Sequence, residues 1–387
     1  MFKYNCLNPI ADIGLELFTN DYEKTNNFQE AEAILVRSGN MHDLKFHKGL
    51  YAIARAGAGV NNIPIDKCSN DGIVVFNTPG ANANAVKELV ISGLLLASRD
   101  IIGGVQWVNS EKENDDIAEL TEKIKKQFAG NEIAGKKLGI IGLGAIGVLV
   151  ANAATYLDMK VYGYDPYMSV DAAWNLYKGI THIKDIKDIF QNCDYISIHA
   201  PLLESTKFMI NKESLSMMKD GVVILNYARD LLVNEKDLAE ALKSGKVKKY
   251  LSDFPNPDIV NAPNVIITPH LGASTNESED NCAKMAVKEI RDFLENGNIK
   301  NSVNFPQCDM GKCISKSRIS IAHKNVKNMI SQFTKVFGTN DININNMINK
   351  SLNDYAYSMF DLDGEVSQEI LDEIKNIDGI LKVRKIK

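Results

Sequence analysis

The sequence lacks an excess of positive charge, a Cys-x-x-Cys pair and an apolar run long enough to cross a membrane. Lys and Arg number 44 against 49 Asp and Glu, and the formal net charge of −5 argues against a bulk electrostatic partnership with nucleic acid. The longest apolar stretch near the N-terminus is too short to span a bilayer and follows no signal-peptide pattern, so no membrane partner is expected. The six cysteines, which form no Cys-x-x-Cys motif, favour a reduced, cytoplasmic setting. Cys308 and Cys313 could pair or bind a metal, but they have no His at ligand spacing, so no metal site is predicted.

The chain has no low-complexity segment or short repeat, and its 387 residues suffice for two or three domains. From about residue 137, apolar runs of strand length alternate with helical patterns. Such near-continuous apolar strands are typical of a parallel sheet covered on both faces, so this part is predicted to be a doubly wound α/β domain. The strand candidates are 138–142, 160–164, 195–199, 222–227, 249–253 and 265–268.

A glycine-rich turn follows the first of these strands. Gly142, Gly144 and Gly147 form a Gly-x-Gly-x-x-Gly motif that leads directly into a helical pattern. In a dinucleotide-binding unit the first glycine permits a tight turn, the second allows a pyrophosphate to approach, and the third lets helix and strand pack closely. Asp165 ends the next strand about 20 residues later, where an acid binds ribose hydroxyls and repels a 2′-phosphate. The motif therefore predicts a Rossmann-type domain that binds NAD rather than NADP, against the alternative of a plain βαβ turn.

The rest of the chain forms two further predicted domains. Short strands at 33–36, 51–54 and 73–76 indicate a smaller α/β domain over 1–97, completed by 283–305, with a returning strand at 302–305. The NAD-binding domain is assigned to 98–282, and 306–316 to a linker. Residues 317–387 show a β-α-β-β-α-β order, the ferredoxin-like pattern.

Several segments together resemble the NAD-dependent D-2-hydroxyacid dehydrogenases over nearly the whole chain. They read Arg-Ala-Gly-Ala-Gly-Val-Asn at 55–61, Asn-Thr-Pro-Gly-Ala-Asn at 77–82, His-Ala-Pro at 199–201, Asn-Tyr-Ala-Arg at 226–229 and Thr-Pro-His-Leu-Gly-Ala-Ser-Thr at 268–275. The C-terminal part is similar to an ACT domain, a small ligand-sensing module. The combination resembles the branch of the family that oxidises 3-phosphoglycerate to 3-phosphohydroxypyruvate, the first step of L-serine biosynthesis.

The resemblance implies two catalytic residues, each just past a strand. His270 is the expected acid/base, since an imidazole can take and return a proton near neutral pH. Arg229 is expected to hold the substrate carboxylate through two N–H groups, although a surface pair with Asp230 is the alternative. Two departures stand out: Asp230 replaces a frequent Gly, and no Glu follows Asp253 where family members often carry the acidic partner of the catalytic His.

The resemblance also implies binding residues for cofactor and substrate. Arg55 is the leading candidate for the substrate phosphate and Arg37 the second, with Ala56 and Gly57 lining the same loop; a surface role for either arginine is the alternative. The expected cofactor-binding residues are Gly142, Gly144, Ala145, Ile146, Gly147, Asp165, His199, Ala200, Pro201, Thr206, Tyr227, Ala228, Asp253, Gly272 and Ala273.

In the ACT-like unit, His323, Asn325 and Asn343 stand where related serine-regulated enzymes hold L-serine between paired modules. Val326, Lys327 and Asp341 alter the surrounding loops, so a serine effector and a plain dimerisation module remain equal alternatives. A homo-oligomer, dimer or tetramer, is expected. Two rival functions stay open: a hydroxypyruvate or glyoxylate reductase on the same core, and a non-catalytic NADH-sensing binding protein.

Overall fold

The computed structural model describes all residues, 1–387, and contains three β-sheets. The strands are β1 (Phe2–Cys6), β2 (Tyr22–Lys24), β3 (Ala33–Val36), β4 (Ala52–Arg55), β5 (Val74–Phe76), β6 (Lys137–Ile141), β7 (Lys160–Tyr164), β8 (Thr181–His182), β9 (Tyr195–Ile198), β10 (Val222–Asn226), β11 (Val247–Ser252), β12 (Val265–Ile267), β13 (Ser317–Lys324), β14 (Ile344–Leu352), β15 (Tyr355–Leu362) and β16 (Ile380–Lys385). The helices are α1 (Asp12–Leu15), α2 (Ile65–Asn70), α3 (Ala83–Ser98), α4 (Ile101–Ser110), α5 (Ile117–Ile124), α6 (Ala145–Tyr156), α7 (Val170–Trp174), α8 (Ile186–Asn192), α9 (Lys212–Met217), α10 (Glu235–Lys243), α11 (Asn276–Asn296), α12 (Met329–Thr339) and α13 (Gln368–Lys375). No helix combines the length and the apolar character that a membrane crossing requires.

The chain divides into two compact units, a first unit of residues 1–82 with 276–387 and a second unit of residues 83–275. The sequence-based division fell instead at 97/98 and 282/283. The difference comes from the two long helices, each of which packs along its whole length on one unit. Helix α3 packs on α6, β10 and β11 of the second unit, and α11 packs on α1, β3 and β4 of the first.

The second unit confirms the predicted doubly wound α/β fold. Its seven strands are all parallel and lie in the order β12-β11-β10-β9-β6-β7-β8. Strands such as β10, whose residues are all buried, have the apolar composition of a sheet covered on both faces. The strand order reverses between β6 and β9, and ligands of open α/β sheets bind outside the carboxyl ends of the strands at such a switch point.

The N-terminal part of the first unit contains a five-stranded parallel sheet in the order β2-β1-β3-β4-β5. Helix α11 lies against it and contributes Val287, Ile290 and Phe293 to the shared core. The strand expected at 302–305 does not form. The segment instead runs beside β5 and is held by Asn304, whose side chain accepts from the Val75 N–H at 2.8 Å and donates to the Ile73 carbonyl at 2.9 Å.

Residues 317–387 form an antiparallel sheet in the order β14-β15-β13-β16, with α12 and α13 following β13 and β15. This is the predicted ferredoxin-like β-α-β-β-α-β arrangement. The helices cover one face through Phe333, Phe337 and Ile374. The other face places Tyr357 and Met359 in the core that includes α11, so the module is an integral part of the first unit.

Two buried arginines fix this module to the C-terminal end of α11. Arg318, whose side chain has no exposed surface, binds Asp361 through Nε (2.6 Å) and Nη2 (2.8 Å) and donates from Nη1 to the Asn296 carbonyl at 3.0 Å. Arg384 donates to the carbonyls of Phe293 (3.2 Å) and Leu294 (3.1 Å). Cations at a helix C-terminus satisfy its unpaired carbonyls and favour its dipole.

The segment 306–316, expected to be a linker, is packed against this interface. Cys308 is fully buried, and its backbone exchanges two hydrogen bonds with Ile299, of 2.7 and 3.1 Å. The carbonyl of Gly311 accepts from Arg318 Nη1 at 2.6 Å. The segment therefore connects the sheet domain and the module as fixed structure.

Candidate active site

The residues predicted to act in catalysis or to bind the adenosine ribose all lie at one edge of the second unit's sheet. Gly142, Asp165 and His199 follow β6, β7 and β9 directly, and Asp253 follows β11. Since all seven strands are parallel, these positions share the carboxyl edge, where doubly wound sheets bind their ligands.

The glycine turn has the geometry that a dinucleotide needs. Gly142 has φ +95°, which favours glycine, and a Cβ there would lie 2.7 Å from the His199 backbone. A Cβ on Gly147 would lie 1.9 Å from the Gly142 carbonyl oxygen, so this position accepts no side chain. Gly144 has open space, with no atom within 4 Å of the Cβ position, and it is the N-cap of α6. The turn thus offers an open backbone at a helix N-terminus, which suits a pyrophosphate; Ala145 and Ile146 form the first turn of that helix.

Asp165 is held at the tip of β7 by backbone donors. Its Oδ2 accepts from the Leu143 N–H and its Oδ1 from the Tyr167 N–H, each at 2.8 Å. Carboxylate oxygens have further lone pairs, so both remain able to accept from ribose hydroxyls. This link between the glycine turn and the acid supports the predicted ribose role.

His199 supports the same turn from the neighbouring strand. Its N–H donates to the Ile141 carbonyl at 2.7 Å, and Nε2 lies 2.9 Å from Ser197 Oγ. Burial lowers the pKa of the ring to about 4, so the imidazole is neutral at physiological pH. Its Nδ1 is buried without a partner, a vacant hydrogen-bonding position beside the predicted cofactor turn.

The loop after His199 is organised by its own side chains. Thr206 Oγ1 donates to the Pro201 carbonyl at 2.6 Å and accepts from the Leu203 N–H at 2.8 Å. Ala200 is nearly buried and Pro201 is exposed. Thr206 therefore shapes the predicted cofactor loop.

Asp253 joins the ends of β11 and β12. Asp253 is 1% exposed. Its Oδ2 accepts from the Gly272 N–H at 2.9 Å, and its backbone carbonyl accepts from the His270 N–H at 2.9 Å. These bonds hold His270 in a left-handed conformation with φ +54°, which is uncommon for a residue with a Cβ. Asp253 Oδ1 is buried without a partner, so it can accept from an amide of a bound cofactor, and Ala273 follows in the same turn.

Arg229 and His270 both lie near this carboxylate. Burial raises the pKa of Asp253, whereas the charges of His270 and Arg229 lower it. Arg229 is exposed, its Nη1 donates to the Ala228 carbonyl at 2.6 Å, and its own carbonyl accepts from Asn226 Nδ2 at 2.8 Å. The structure thus brings the two predicted catalytic residues to one carboxylate, and Tyr227 is buried.

The ring of His270 packs against an aromatic side chain rather than a glutamate. Phe254 lies with its ring centroid 4.9 Å from that of His270, and within the second unit no carboxylate is hydrogen-bonded to the imidazole. Sequence reasoning identified the missing acid but not this contact. Its signal was the aromatic residue directly after Asp253.

Asp230 is hydrogen-bonded to Glu235, a residue that sequence reasoning did not single out. Burial, the bond to Asp230 and the charge of Asp258 raise the pKa of Glu235 to about 7. The acid next to Arg229 is therefore half of a carboxyl pair. The available signal in the sequence was the short separation, five positions, between Asp230 and Glu235, the first residue of α10.

In the first unit, Arg55 is the last residue of β4, and Arg37 directly follows the neighbouring strand β3. Arg55 Nε donates to the Arg37 carbonyl at 3.0 Å, and Nη1 donates to the Gly59 carbonyl, so the guanidinium supports the loop that contains Ala56 and Gly57. Arg37 Nη2 forms an ion pair of 2.6 Å with Glu279 of α11. Sequence reasoning missed this partner, because 242 positions separate the two residues.

Of the predicted effector residues, the structure groups two and separates the third. His323 is buried, with Nδ1 2.8 Å from the Lys324 carbonyl and Nε2 2.9 Å from Ser358 Oγ. Asn325 follows the same strand, β13. Asn343 precedes β14, beside the residue paired with Leu362, and so lies at the opposite end of the sheet. A single chain does not bring all three together.

Comparison with known proteins agrees with this geometry. Residues 91–272 match the NAD binding domain of the D-isomer specific 2-hydroxyacid dehydrogenases. The D-3-phosphoglycerate dehydrogenase of Methanocaldococcus jannaschii is 33% identical over 319 residues, which cover 79% of this chain and 58% of that protein. The hydroxypyruvate reductase of Thermotoga maritima is 36% identical over 273 residues, 67% of this chain and 84% of that protein.

A solved structure shares the fold. The NAD+-bound 3-phosphoglycerate dehydrogenase of Entamoeba histolytica superposes with a TM-score of 0.61 at 27% identity, covering 78% of this chain and 98% of that one. The chain spans little more than half the length of the first curated relatives, 58% and 52%. The glycine turn, the strand-end residues and these similarities together show that the chain belongs to the D-isomer specific 2-hydroxyacid dehydrogenase family and contains its NAD-binding domain.

Proposed function

We propose that this protein oxidises 3-phosphoglycerate to 3-phosphohydroxypyruvate with NAD, the first step of L-serine biosynthesis. The observation that carries the proposal is the arrangement of Arg229 and His270 around the buried carboxylate of Asp253, at the sheet edge that holds the dinucleotide turn. The similarity to D-3-phosphoglycerate dehydrogenases supports this substrate.

Each residue has a definite chemical task. Bound NAD supplies the acceptor for the hydride that leaves C2 of the hydroxy acid. His270 accepts the hydroxyl proton as the C2–O bond becomes a carbonyl, and returns it in the reverse direction. Arg229 orients the substrate carboxylate and stays charged throughout. Asp253 keeps His270 in its left-handed turn, and its free Oδ1 accepts from the cofactor amide.

The phosphate is assigned to Arg55 and Arg37 of the first unit, with Ala56 and Gly57 in the supporting loop. Both arginines lie at the carboxyl ends of neighbouring strands of a parallel sheet, where ligands bind. A phosphate dianion gains charge-assisted hydrogen bonds from such donors.

Steady-state kinetics test the proposal directly. The purified protein is assayed with 3-phosphoglycerate and NAD, and with hydroxypyruvate or glyoxylate and NADH; NADP and NADPH serve as cofactor controls. We expect the highest kcat/KM for 3-phosphoglycerate with NAD, because Asp165 repels a 2′-phosphate. A higher value for the unphosphorylated acids would replace the proposal with a hydroxypyruvate reductase, a function favoured by the 84% coverage of the Thermotoga maritima enzyme. NADH binding without turnover of any of these acids would indicate an NADH-sensing binding protein.

The C-terminal ferredoxin-like module is proposed to be an ACT domain. Because Asn343 lies at the far end of the sheet from His323 and Asn325, a serine site using all three requires two copies of the chain. This supports a homo-oligomer, and L-serine titration of the forward reaction tests the effector role. The six cysteines are all free, which supports a cytoplasmic location.

A further inference from the structure

Arg37 is held at the carboxyl edge of the first unit's parallel sheet by bonds to its backbone. Its N–H donates to Asn8 Oδ1 at 2.9 Å, and its carbonyl accepts from Arg55 Nε at 3.0 Å. The backbone of Arg37 is therefore held by two neighbouring segments of the sheet edge. These bonds involve the backbone of Arg37 and not its guanidinium group, which can therefore pair with other groups.

The partner of that side chain is an acid on a different element. Glu279, in the first turn of α11, places Oε1 2.6 Å from Arg37 Nη2. The two side chains are 41% and 42% exposed, respectively, so water reaches both. Exposed ion pairs of this kind contribute little to stability and exchange readily with other partners.

Arg55 adds a second positive charge to the same place. Its guanidinium donates to the backbone carbonyls of Arg37 and Gly59, which places it beside Arg37. The charges of Arg37 and Arg55 both lower the pKa of the Cys282 thiol, so both guanidinium groups lie beside the second turn of α11. Two guanidinium groups and one carboxylate thus meet at this edge, and the carboxylate of Glu279 is paired with the guanidinium of Arg37.

We infer that Glu279 is a specificity-determining residue that occupies, on Arg37, the position an anionic group of the substrate would take. This inference rests on the proposed function for the identity of that group, the phosphate. A phosphorylated substrate must displace the carboxylate before Arg37 can bind it, whereas an unphosphorylated 2-hydroxy acid need not. Glu279 therefore weakens binding of the phosphorylated substrate selectively.

The test uses Glu279→Gln, which keeps the size of the side chain and removes its charge. Glu277→Gln is the matched control, since Glu277 lies in the same helical turn and forms no ion pair. KM and kcat are measured for 3-phosphoglycerate and for D-glycerate, its unphosphorylated analogue. We expect Glu279→Gln to lower the KM for 3-phosphoglycerate by about two- to fivefold, the range set by an exposed ion pair. The KM for D-glycerate and the control variant should not change.

A second readout needs no turnover. Inorganic phosphate is titrated calorimetrically into the wild type, Glu279→Gln and Arg37→Gln, at low and high ionic strength. Phosphate should bind more tightly to Glu279→Gln, least tightly to Arg37→Gln, and the difference should shrink in salt. Equal changes for both substrates, or unchanged phosphate affinity in Glu279→Gln, would overturn the inference. A wild type that binds phosphate as expected but fails to oxidise 3-phosphoglycerate would refute only the proposed function.

Discussion

Two glycines of the dinucleotide turn give opposite predictions for the same substitution. In the structure the Cβ position of Gly144 has no neighbour within 4 Å, whereas that of Gly147 lies 1.9 Å from the Gly142 oxygen. Gly144→Ala should therefore leave the apo fold intact and impair cofactor binding. Gly147→Ala should damage the fold itself, so the pair separates a binding role from a structural one.

The magnitudes follow from these environments. Gly144 has φ −75° and ψ −161°, which alanine adopts, so the gain of about 0.4–1 kcal/mol from a stiffer unfolded chain roughly offsets the poorer N-cap. Its methyl group would stand in the open space of the turn and cost one charged hydrogen bond to a pyrophosphate, about 1.5–3 kcal/mol, or roughly 10- to 150-fold in the Kd for NADH. Gly147→Ala forces backbone to move in a packed turn, which costs about 1–3 kcal/mol or more.

Both variants are compared with the wild type by thermal melting of the apo protein and by fluorescence titration with NADH. We expect the Tm of Gly144→Ala to stay within about 3 °C of the wild type while that of Gly147→Ala falls by at least about 4 °C. The reasoning would be refuted if Gly144→Ala bound NADH within twofold of the wild type. It would fail equally if Gly147→Ala melted normally, because the close approach to Gly142 would then be absent.

Three further outcomes are expected. Burial holds the pKa of folded His199 at about 4, below its unfolded value near 6.5, so the unfolded chain takes up a proton first as the pH falls. The free energy of unfolding should therefore decrease by about 2 kcal/mol between pH 7 and pH 5. Urea unfolding of His199→Gln should lack this share of the pH dependence, and an unchanged profile would contradict the burial of the ring. Arg318→Met leaves the Asp361 carboxylate buried without its ion-pair partner and should destabilise the first unit by about 3–5 kcal/mol. The double variant Arg318→Met/Asp361→Asn should recover part of this stability. A Tm within one or two degrees of the wild type would exclude this buried pair as the anchor of the module. His270→Gln should lower kcat by about 10²–10⁴-fold and leave the Kd for NADH within about threefold, and near wild-type turnover would remove His270 from proton transfer.

The sequence alone predicted the second unit well because its strands are buried on both faces. The candidates at 160–164 and 265–268 correspond to β7 (Lys160–Tyr164) and β12 (Val265–Ile267), and the others agree within about two residues. Strand order then follows from parallel pairing and right-handed crossovers, which bring every strand-end residue to one edge. The family resemblance implied the roles of Arg229, Asp253 and His270, and their positions after parallel strands account for their lying at one edge.

Elements with mixed composition were missed. β1 contains Lys3 and Asn5, and Asn5 is buried with its Nδ2 donating to the Thr25 carbonyl at 2.8 Å. β2 and β8 are three and two residues long, too short for periodicity to appear. Hydrophobic alternation and strand propensity reflect only the local sequence. These strands depend instead on hydrogen bonds and packing contacts with neighbouring segments.

The burial of two charged residues could not be recognised from the sequence. Arg318 and Arg384 appear in their strands as ordinary polar positions, yet both are buried against the end of α11. Their partners are backbone carbonyls of α11 and one acid 43 positions away, which no local pattern reveals. For the same reason the segment 306–316 was read as a linker although it is packed beside those arginines.

The missing glutamate is best understood by separating the two tasks that a carboxylate partner performs for a catalytic histidine, orientation and charge compensation. Here orientation comes from the backbone, since the Asp253 carbonyl and the left-handed turn at φ +54° fix His270, while the Phe254 ring supports one side of the imidazole. Charge compensation falls to the Asp253 carboxylate, whose pKa responds to both His270 and Arg229. If this division is correct, Asp253→Asn should impair proton transfer even though it retains the Asp253 carbonyl that holds His270, and Phe254→Leu should loosen the ring without altering its charge. A kcat loss in Asp253→Asn at unchanged NADH affinity would separate this role of the carboxylate from its contact with the cofactor.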